Sequence, residues 1–319
     1  MLVHWARMHI ALYTHSRLPA EGYGGTQRVV GWLARGLVEL GHRVTLLAPA
    51  GSRVPEAELV PLNPRDIIAA GFDLTPLLPP SLDILHAHGP VRVPPNHAHV
   101  FTLHGNLGPG RAPLPNTVFV SADHARRHGA TAFVYNGVDP SEFVFRAEKA
   151  DYDLFLGRLH TVKGYRWALQ GAKRSGKAIV LAGGWRPSLS KRVRFVGSVD
   201  GGRKAELLAG ASCLWMPALW DEPFGLTLVE AMMSGTPVLG TRRGALPEVV
   251  SSEVGALGDS LDQLVALRPS IERCDPDACR RRAERWFSHV AMAEEYVRMY
   301  RHYLTRNRLP EGRVTSTAP

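Results

Sequence analysis

The sequence predicts an α/β chain of two facing, doubly wound domains. Three observations predict it. Short apolar runs alternate with stretches of helical spacing, the alternation resets once after Pro140, and no repeat shorter than a domain is present. Strand–helix–strand order gives a parallel sheet covered by helices. Ligands of such sheets bind outside the carboxyl ends of the strands, so the expected site is the cleft between the domains.

In the first half, His9–Thr14, Arg43–Ala48, Leu82–His86, Val100–Leu103, Thr117–Ser121 and Ala132–Tyr135 read as buried strands. Between the first two, Gln27–Leu40 carries apolar residues at 29, 30, 33, 37 and 40 and stops at Gly41, the signature of an amphipathic helix. Ser141–Ala150 is polar and irregular and reads as a linker. The second series has strands at Leu154–Leu156, Ala178–Ala182, Arg194–Val196, Cys213–Met216 and Pro237–Gly240. Its helices fall near Tyr165–Ala172, Lys204–Ala209, Gly225–Met233 and Ala245–Val250. The last helical stretch, Pro276 to Tyr303, is broken near Trp286–His289, and its second part buries one face.

Composition bounds the function. A chain of 319 residues is long enough for two ordinary domains, and 45% hydrophobic with 21% charged residues is a globular mix. No apolar run approaches a membrane span. Met8 leads into the first strand, so Met1–Arg7 reads as an extension without signal-peptide order. Three cysteines without metal-ligand spacing argue against a disulfide framework and for a cytoplasmic setting. The net charge of +9 permits binding to nucleic acid, phosphorylated substrates or anionic lipid, the last as peripheral contact with a membrane, its inner face if the chain is cytoplasmic, and does not choose among them. The short basic runs Lys191–Arg194 and Arg280–Arg282 read as solvated faces. Aromatic residues do not interleave with the basic ones, which speaks against nucleic acid.

The strongest chemical signal is Asp221-Glu222-Pro-Phe-Gly-Leu-Thr-Leu-Val-Glu230. A Pro-Phe-Gly turn opens a helix, so Gly225, Leu226 and Thr227 offer backbone N–H groups at a positive helix end, an anion site. Glu230 lies about two turns further along on nearly the same face. Gly157-Arg158 and Lys163-Gly164 follow the strand at 154–156, where two cations can face a diphosphate. Gly22-Tyr23-Gly24-Gly25 follows the first strand and lets backbone approach a ligand. It fails the dinucleotide fingerprint, because Gln27 replaces the last glycine and no acid ends the second strand.

Histidines 86, 88, 97, 99 and 104 cluster in the first half without carboxylates at ligand spacing, so no metal site is expected. His124 and His128 read as a solvated helix face. Gly171–Lys177 resembles a triphosphate loop but precedes a strand and continues with Ala178. Asp151-Tyr-Asp153 reads as linker.

Together these residues resemble the retaining glycosyltransferases of family 4, which have the GT-B fold. The marks are Tyr23-Gly-Gly-Thr, Gly41-His-Arg-Val-Thr, Asp83-Ile-Leu-His-Ala-His, Leu103-His-Gly, Tyr135-Asn-Gly-Val-Asp139, Gly157-Arg-Leu with Lys163-Gly, and Glu222 to Glu230. The resemblance implies two Rossmann-like domains, residues 1–147 on the acceptor side and 148–287 on the nucleotide-sugar side, with 288–319 crossing back to the first.

It implies that Arg158 and Lys163 bind the donor diphosphate and Glu222 holds the transferred sugar. Glu230 would hold the ribose, Gly24 and Gly25 would close over the phosphates, and His104 would sit beside the sugar. Phe224, Gly225, Leu226 and Thr227 would line the donor. No metal or cofactor is implied, and a UDP- or GDP-linked hexose is the expected donor. The acceptor is left open among saccharide, lipid and small natural product. A sugar-nucleotide epimerase of the same fold and a non-catalytic binder of nucleotide sugar or nucleic acid are the alternatives. The first would not need the paired glutamates with Arg158 and Lys163. Retention of all four speaks against the second.

Overall fold

The computed structural model describes residues 7–20, 22, 24–67, 72–94 and 96–312. Met1–Ala6 of the expected extension and Tyr23 of the glycine loop lie outside them. The chain forms two compact units, one of residues 1–138 with 288–319 and one of 139–287.

The first unit holds six parallel strands: β1 (His9–Tyr13), β2 (Arg43–Pro49), β3 (Glu58–Leu62), β4 (Ile84–Ala87), β5 (His99–Thr102) and β6 (Thr117–Val118). Their order is β3-β2-β1-β4-β5-β6, the doubly wound arrangement, reversing between β1 and β4. Helix α1 (Gly25–Glu39) buries Val29, Val30, Leu33 and Leu37 as its periodicity requires. The short helices α2 (Pro64–Ile67) and α3 (Ala122–Arg127) follow in this unit. Tyr13, Leu47, Leu62, Leu74, Leu85 and Phe101 form one core cluster.

The second unit repeats the plan. Its strands are β7 (Asp153–Leu156), β8 (Ile179–Ala182), β9 (Val193–Phe195), β10 (Cys213–Met216), β11 (Val238–Thr241) and β12 (Gly255–Gly258). The order β12-β11-β10-β7-β8-β9 reverses between β7 and β10. Helices α4 (Tyr165–Arg174), α5 (Gly201–Gly210), α6 (Leu226–Met233), α7 (Leu246–Val249), α8 (Leu261–Leu267) and α9 (Pro276–Phe287) complete it. Phe155, Leu181, Trp215 and Leu239 centre its core. A Cβ on Gly171 of α4 would run into the Trp215 ring, so only glycine lets the indole pass beneath that helix.

Ser288, the first residue after the second unit, N-caps α10 (His289–Arg306), its hydroxyl accepting from Ala291 N–H. The helix belongs to the first unit. There it lies on α1, so closely that a Cβ on Gly36 would meet the His289 carbonyl oxygen and Ala293. Val138 and Ser288 are joined by a parallel β-bridge. Tyr296, Tyr300 and Tyr303 are buried along one face of α10. Among the described residues no helix is long and apolar enough to cross a membrane.

Four expectations are corrected. Ala132, Val134 and Tyr135 are buried, which is what the apolar pattern detects, but the segment pairs over a single rung, Phe119 with Phe133, because β6 itself is paired only over Thr117–Val118. His124 and His128 are not a solvated face. His124 is fully buried, edge-on to Phe119, and His128 stacks on the same ring. Burial first, then the neighbouring His128 and Arg127 charges, lowers the His124 pKa to about 3.

Asp153 is no linker residue. It is fully buried and accepts from Arg268 Nε (2.9 Å) and Nη2 (2.6 Å), Trp215 Nε1 (2.7 Å) and the Ser212 hydroxyl (3.0 Å). Arg280 and Arg282 are half-buried and donate to the carbonyls of Met233 and Val249, fastening α9 instead of facing solvent. The three cysteines are free.

Candidate functional site

In the second unit, the strand order reverses between β7 and β10, and the chemical residues gather beyond the carboxyl ends of those two strands. β7 runs out through Gly157 into exposed Arg158. The chain then makes a 3-10 turn, Thr161–Lys163, ended by Gly164 in the left-handed region at φ 75°. A Cβ there would collide with the Pro217 carbonyl oxygen just past β10. Only glycine permits this approach, and Leu219 N–H donates to the Val162 carbonyl (2.8 Å) to hold it. The approach brings Lys163 to Glu222: the ammonium donates to Glu222 Oε2 at 2.6 Å, with both side chains nearly buried. Trp220 Nε1–H donates to the same oxygen (2.9 Å), and the ammonium sits 4.6 Å from the Trp220 ring centroid.

A second glycine serves Glu222 from the other side. Gly244, φ 58°, leaves no room for a Cβ against the Glu222 backbone, and Ala245 N–H donates to the Glu222 carbonyl (2.9 Å). Gly225, φ 87°, caps α6 in the left-handed region. In the first turn of that helix the N–H groups of Leu226 and Thr227 have no partner inside the helix and point along its positive end. Phe224 is buried edge-on to Phe287 and anchors the turn. Glu230, further along α6, is buried and accepts from Lys204 Nζ of α5 at 2.7 Å.

The structure therefore joins Lys163 to Glu222 and places the α6 start beside them in sequence, while Glu230 is joined to a cation the sequence reading missed. Nothing local signals Lys204, which lies 26 positions from Glu230. Trp220 stands two residues before Glu222, and its indole type there carries no chemical signal in the sequence alone. Among the described residues no group of three or more His, Cys, Asp or Glu could hold a metal ion.

In the first unit, Gly24 and Gly25 stand where the loop after β1 enters α1, and a Cβ on Gly24 would press on Ala20 and Gln27. His104 follows β5. It contacts His88, which follows β4, through a 2.9 Å bond between His88 Nδ1 and His104 Nε2. Behind them His86 is fully buried, bonded through Nδ1 to the Tyr300 hydroxyl (2.6 Å) and through Nε2 to the Thr102 hydroxyl (2.7 Å). Burial lowers the His104 pKa to about 4 and holds His86 and His88 well below the ordinary range, so all three are neutral at pH 7.

Residues 23–130 match the family model described as Glycosyltransferase Family 4, and residues 151–268 match Glycosyl transferases group 1. A phosphatidyl-myo-inositol mannosyltransferase of Mycobacterium leprae is 37% identical over 120 residues, 35% of this chain and 32% of that protein. AviGT4, a glycosyltransferase involved in avilamycin A biosynthesis, is similar over 94% of this chain and 98% of its own, with 29% identity and a TM-score of 0.76. The Anabaena protein HepE, solved with UDP-glucose, shares the fold at 17% identity and a TM-score of 0.66, over 91% of this chain and 98% of its own. The matched segments span 39%, 32% and 27% of the first three curated relatives.

Proposed function

From a chain that belongs to the family 4 and group 1 glycosyltransferases, we propose a retaining hexosyltransferase that takes its sugar from a UDP- or GDP-linked donor, passes it to an acceptor hydroxyl and needs no metal. The observation that carries this reading is the placement of Arg158, the Lys163–Glu222 pair and the α6 start beyond the ends of β7 and β10.

As the bond from the anomeric carbon to phosphate breaks, negative charge builds on the leaving diphosphate. Arg158, Lys163 and the N–H groups that open α6 offer fixed positive charge and dipoles to receive it. Glu222 holds Lys163 in place before donor arrives and, once Lys163 turns to phosphate, accepts hydrogen bonds from sugar hydroxyls. Glu230 holds a ribose hydroxyl, and Gly24, Gly25 and His104 belong to the binding surface of the first unit. Retention follows from attack on the face that the diphosphate leaves.

The test is a thermal-shift screen of nucleotide sugars, since a tight donor raises stability by mass action. Transfer is then followed by NMR of the product anomer in excess chelator. A strict magnesium or manganese requirement, or an inverted product, overturns the respective part of the reading.

A further inference from the structure

His88 and His104 share one proton, and the burial around them decides which ring holds it. The rings meet head to head, Nδ1 of His88 against Nε2 of His104 at 2.9 Å, with only 28° between their planes. Both are neutral at pH 7 because burial penalises the imidazolium. One ring must therefore donate and the other accept. The two pairings differ at the far nitrogens. His88 Nε2 is sealed from solvent and has no hydrogen-bond partner. His104 Nδ1 makes no hydrogen bond among the described residues, and His104 is only half-buried.

If His104 donated, His88 would carry its proton on Nε2, a buried N–H without an acceptor, which costs the desolvation of that donor. If His88 donates, its Nε2 is a bare lone pair facing the interior, and the proton of His104 sits on Nδ1, where a partner can reach it. His86 locks this arrangement: its ring lies 4.1 Å from that of His88, and it is itself pinned to Tyr300 and Thr102, with the Thr102 hydroxyl also bonded to that of Tyr296 (2.7 Å).

We infer that His88 is a positioning residue that fixes His104 as the Nδ1–H tautomer, so that His104 presents a hydrogen-bond donor, and not a base, to a ligand oxygen at the carboxyl end of β5. The oxygen is a hydroxyl or phosphoryl oxygen of the substrate. The consequence for turnover rests on the proposed sugar transfer, whereas the tautomer is a property of the free protein.

The experiment is a two-bond proton–nitrogen NMR correlation of the full chain labelled with 15N-histidine, the His104 signals being those lost in His104→Gln. The expected pattern is a protonated Nδ1 and a bare Nε2 on His104. A protonated Nε2 on His104 in the unmutated protein overturns the proposal. His88→Phe removes the donor and should move His104 toward the Nε2–H form. His88→Asn, whose amide N–H replaces Nδ1–H, should restore the pattern. An unchanged His104 pattern in His88→Phe also overturns it. With an active donor, His88→Phe should lower kcat on the order of tenfold to a hundredfold, short of the loss of a whole preorganised donor. KM should change little, and His88→Asn should recover most of the rate. Absence of transfer from any nucleotide sugar with the tautomer as stated sinks the transferase reading alone.

Discussion

The Lys163 ammonium and the Glu222 carboxylate neutralise each other at 2.6 Å beside the indole of Trp220. The proposed phosphate cation and the proposed sugar-binding acid thus hold one another in place in the free protein. Under the proposed function, a sugar diphosphate separates them by offering each a better partner.

Lys163→Ala and Arg158→Ala should each lower turnover by about 3–4 kcal/mol, on the order of a hundred- to thousandfold, beyond any weakening of donor binding. Glu222→Gln should also lose rate. Steady-state kinetics with separate donor-binding measurements check this. Intact turnover in all three variants would remove the catalytic assignment.

If Glu230 holds the ribose as proposed, Glu230→Gln should raise the apparent donor binding constant with kcat nearly unchanged, because such a contact is alike in ground and transition states. Lys204→Met leaves the Glu230 charge buried without its cation. It should destabilise the protein by about 3–5 kcal/mol, read from the urea midpoint. A Lys204→Met, Glu230→Leu double variant should recover much of that stability while donor binding stays weak.

Asp153→Ala should cost about 3–5 kcal/mol, since Arg268 would lose its buried counter-ion. The loss should appear in unfolding of residues 139–287 and leave hydrogen-exchange protection of α1 unchanged. A surface-like effect, within half a kcal/mol or so, would contradict the burial of this pair.

Acid should loosen the first unit. His104 and His124 titrate at about 4 and about 3 in the folded protein, against 6.5 when unfolded. Between these values the unfolded chain binds more protons. The stability they confer is complete above pH 6.5 and is lost as pH falls toward 3. Unfolding midpoints measured from pH 7.5 to 4 should fall, and His124→Phe should flatten that slope.

Removing residues 288–319 strips α10 from α1 and should destabilise residues 7–138, seen as raised hydrogen exchange in α1 and β1. Gly36→Val should do the same in milder form by forcing the two helices apart. Unchanged protection in both variants would mean that α10 contributes little to this unit.

Much of the fold is legible because buried parallel strands are short apolar runs and α1 has clean helical spacing. The strands the sequence hid are the sheet edges. β3 reads Glu-Leu-Val-Pro-Leu, and its proline is tolerated only because an edge strand can spare an N–H. β12 reads Gly-Ala-Leu-Gly and looks like a turn. Helix α8, Leu261–Leu267, follows it and was not read either. At the site, Lys163 and Glu222 were individually visible, but their pairing depends on Gly164 meeting Pro217, a contact across 53 positions, from 164 to 217. For Asp153 and His124, residue type suggests solvent, while burial is decided by the partners the fold brings, Arg268 for one and Phe119 for the other.

The bridge between Val138 and Ser288 has a consequence for synthesis. Residues 139–287 form a contiguous stretch that leaves the first unit and returns to the same place. A ribosome finishes that stretch before it delivers α10. Domains ordinarily mature in the order they are made, the amino-terminal one first. Here the amino-terminal sheet emerges first, but the helix that covers α1 emerges only after residues 139–287. The nascent chain therefore carries the apolar face of α1 uncovered by α10 throughout the translation of residues 139–287.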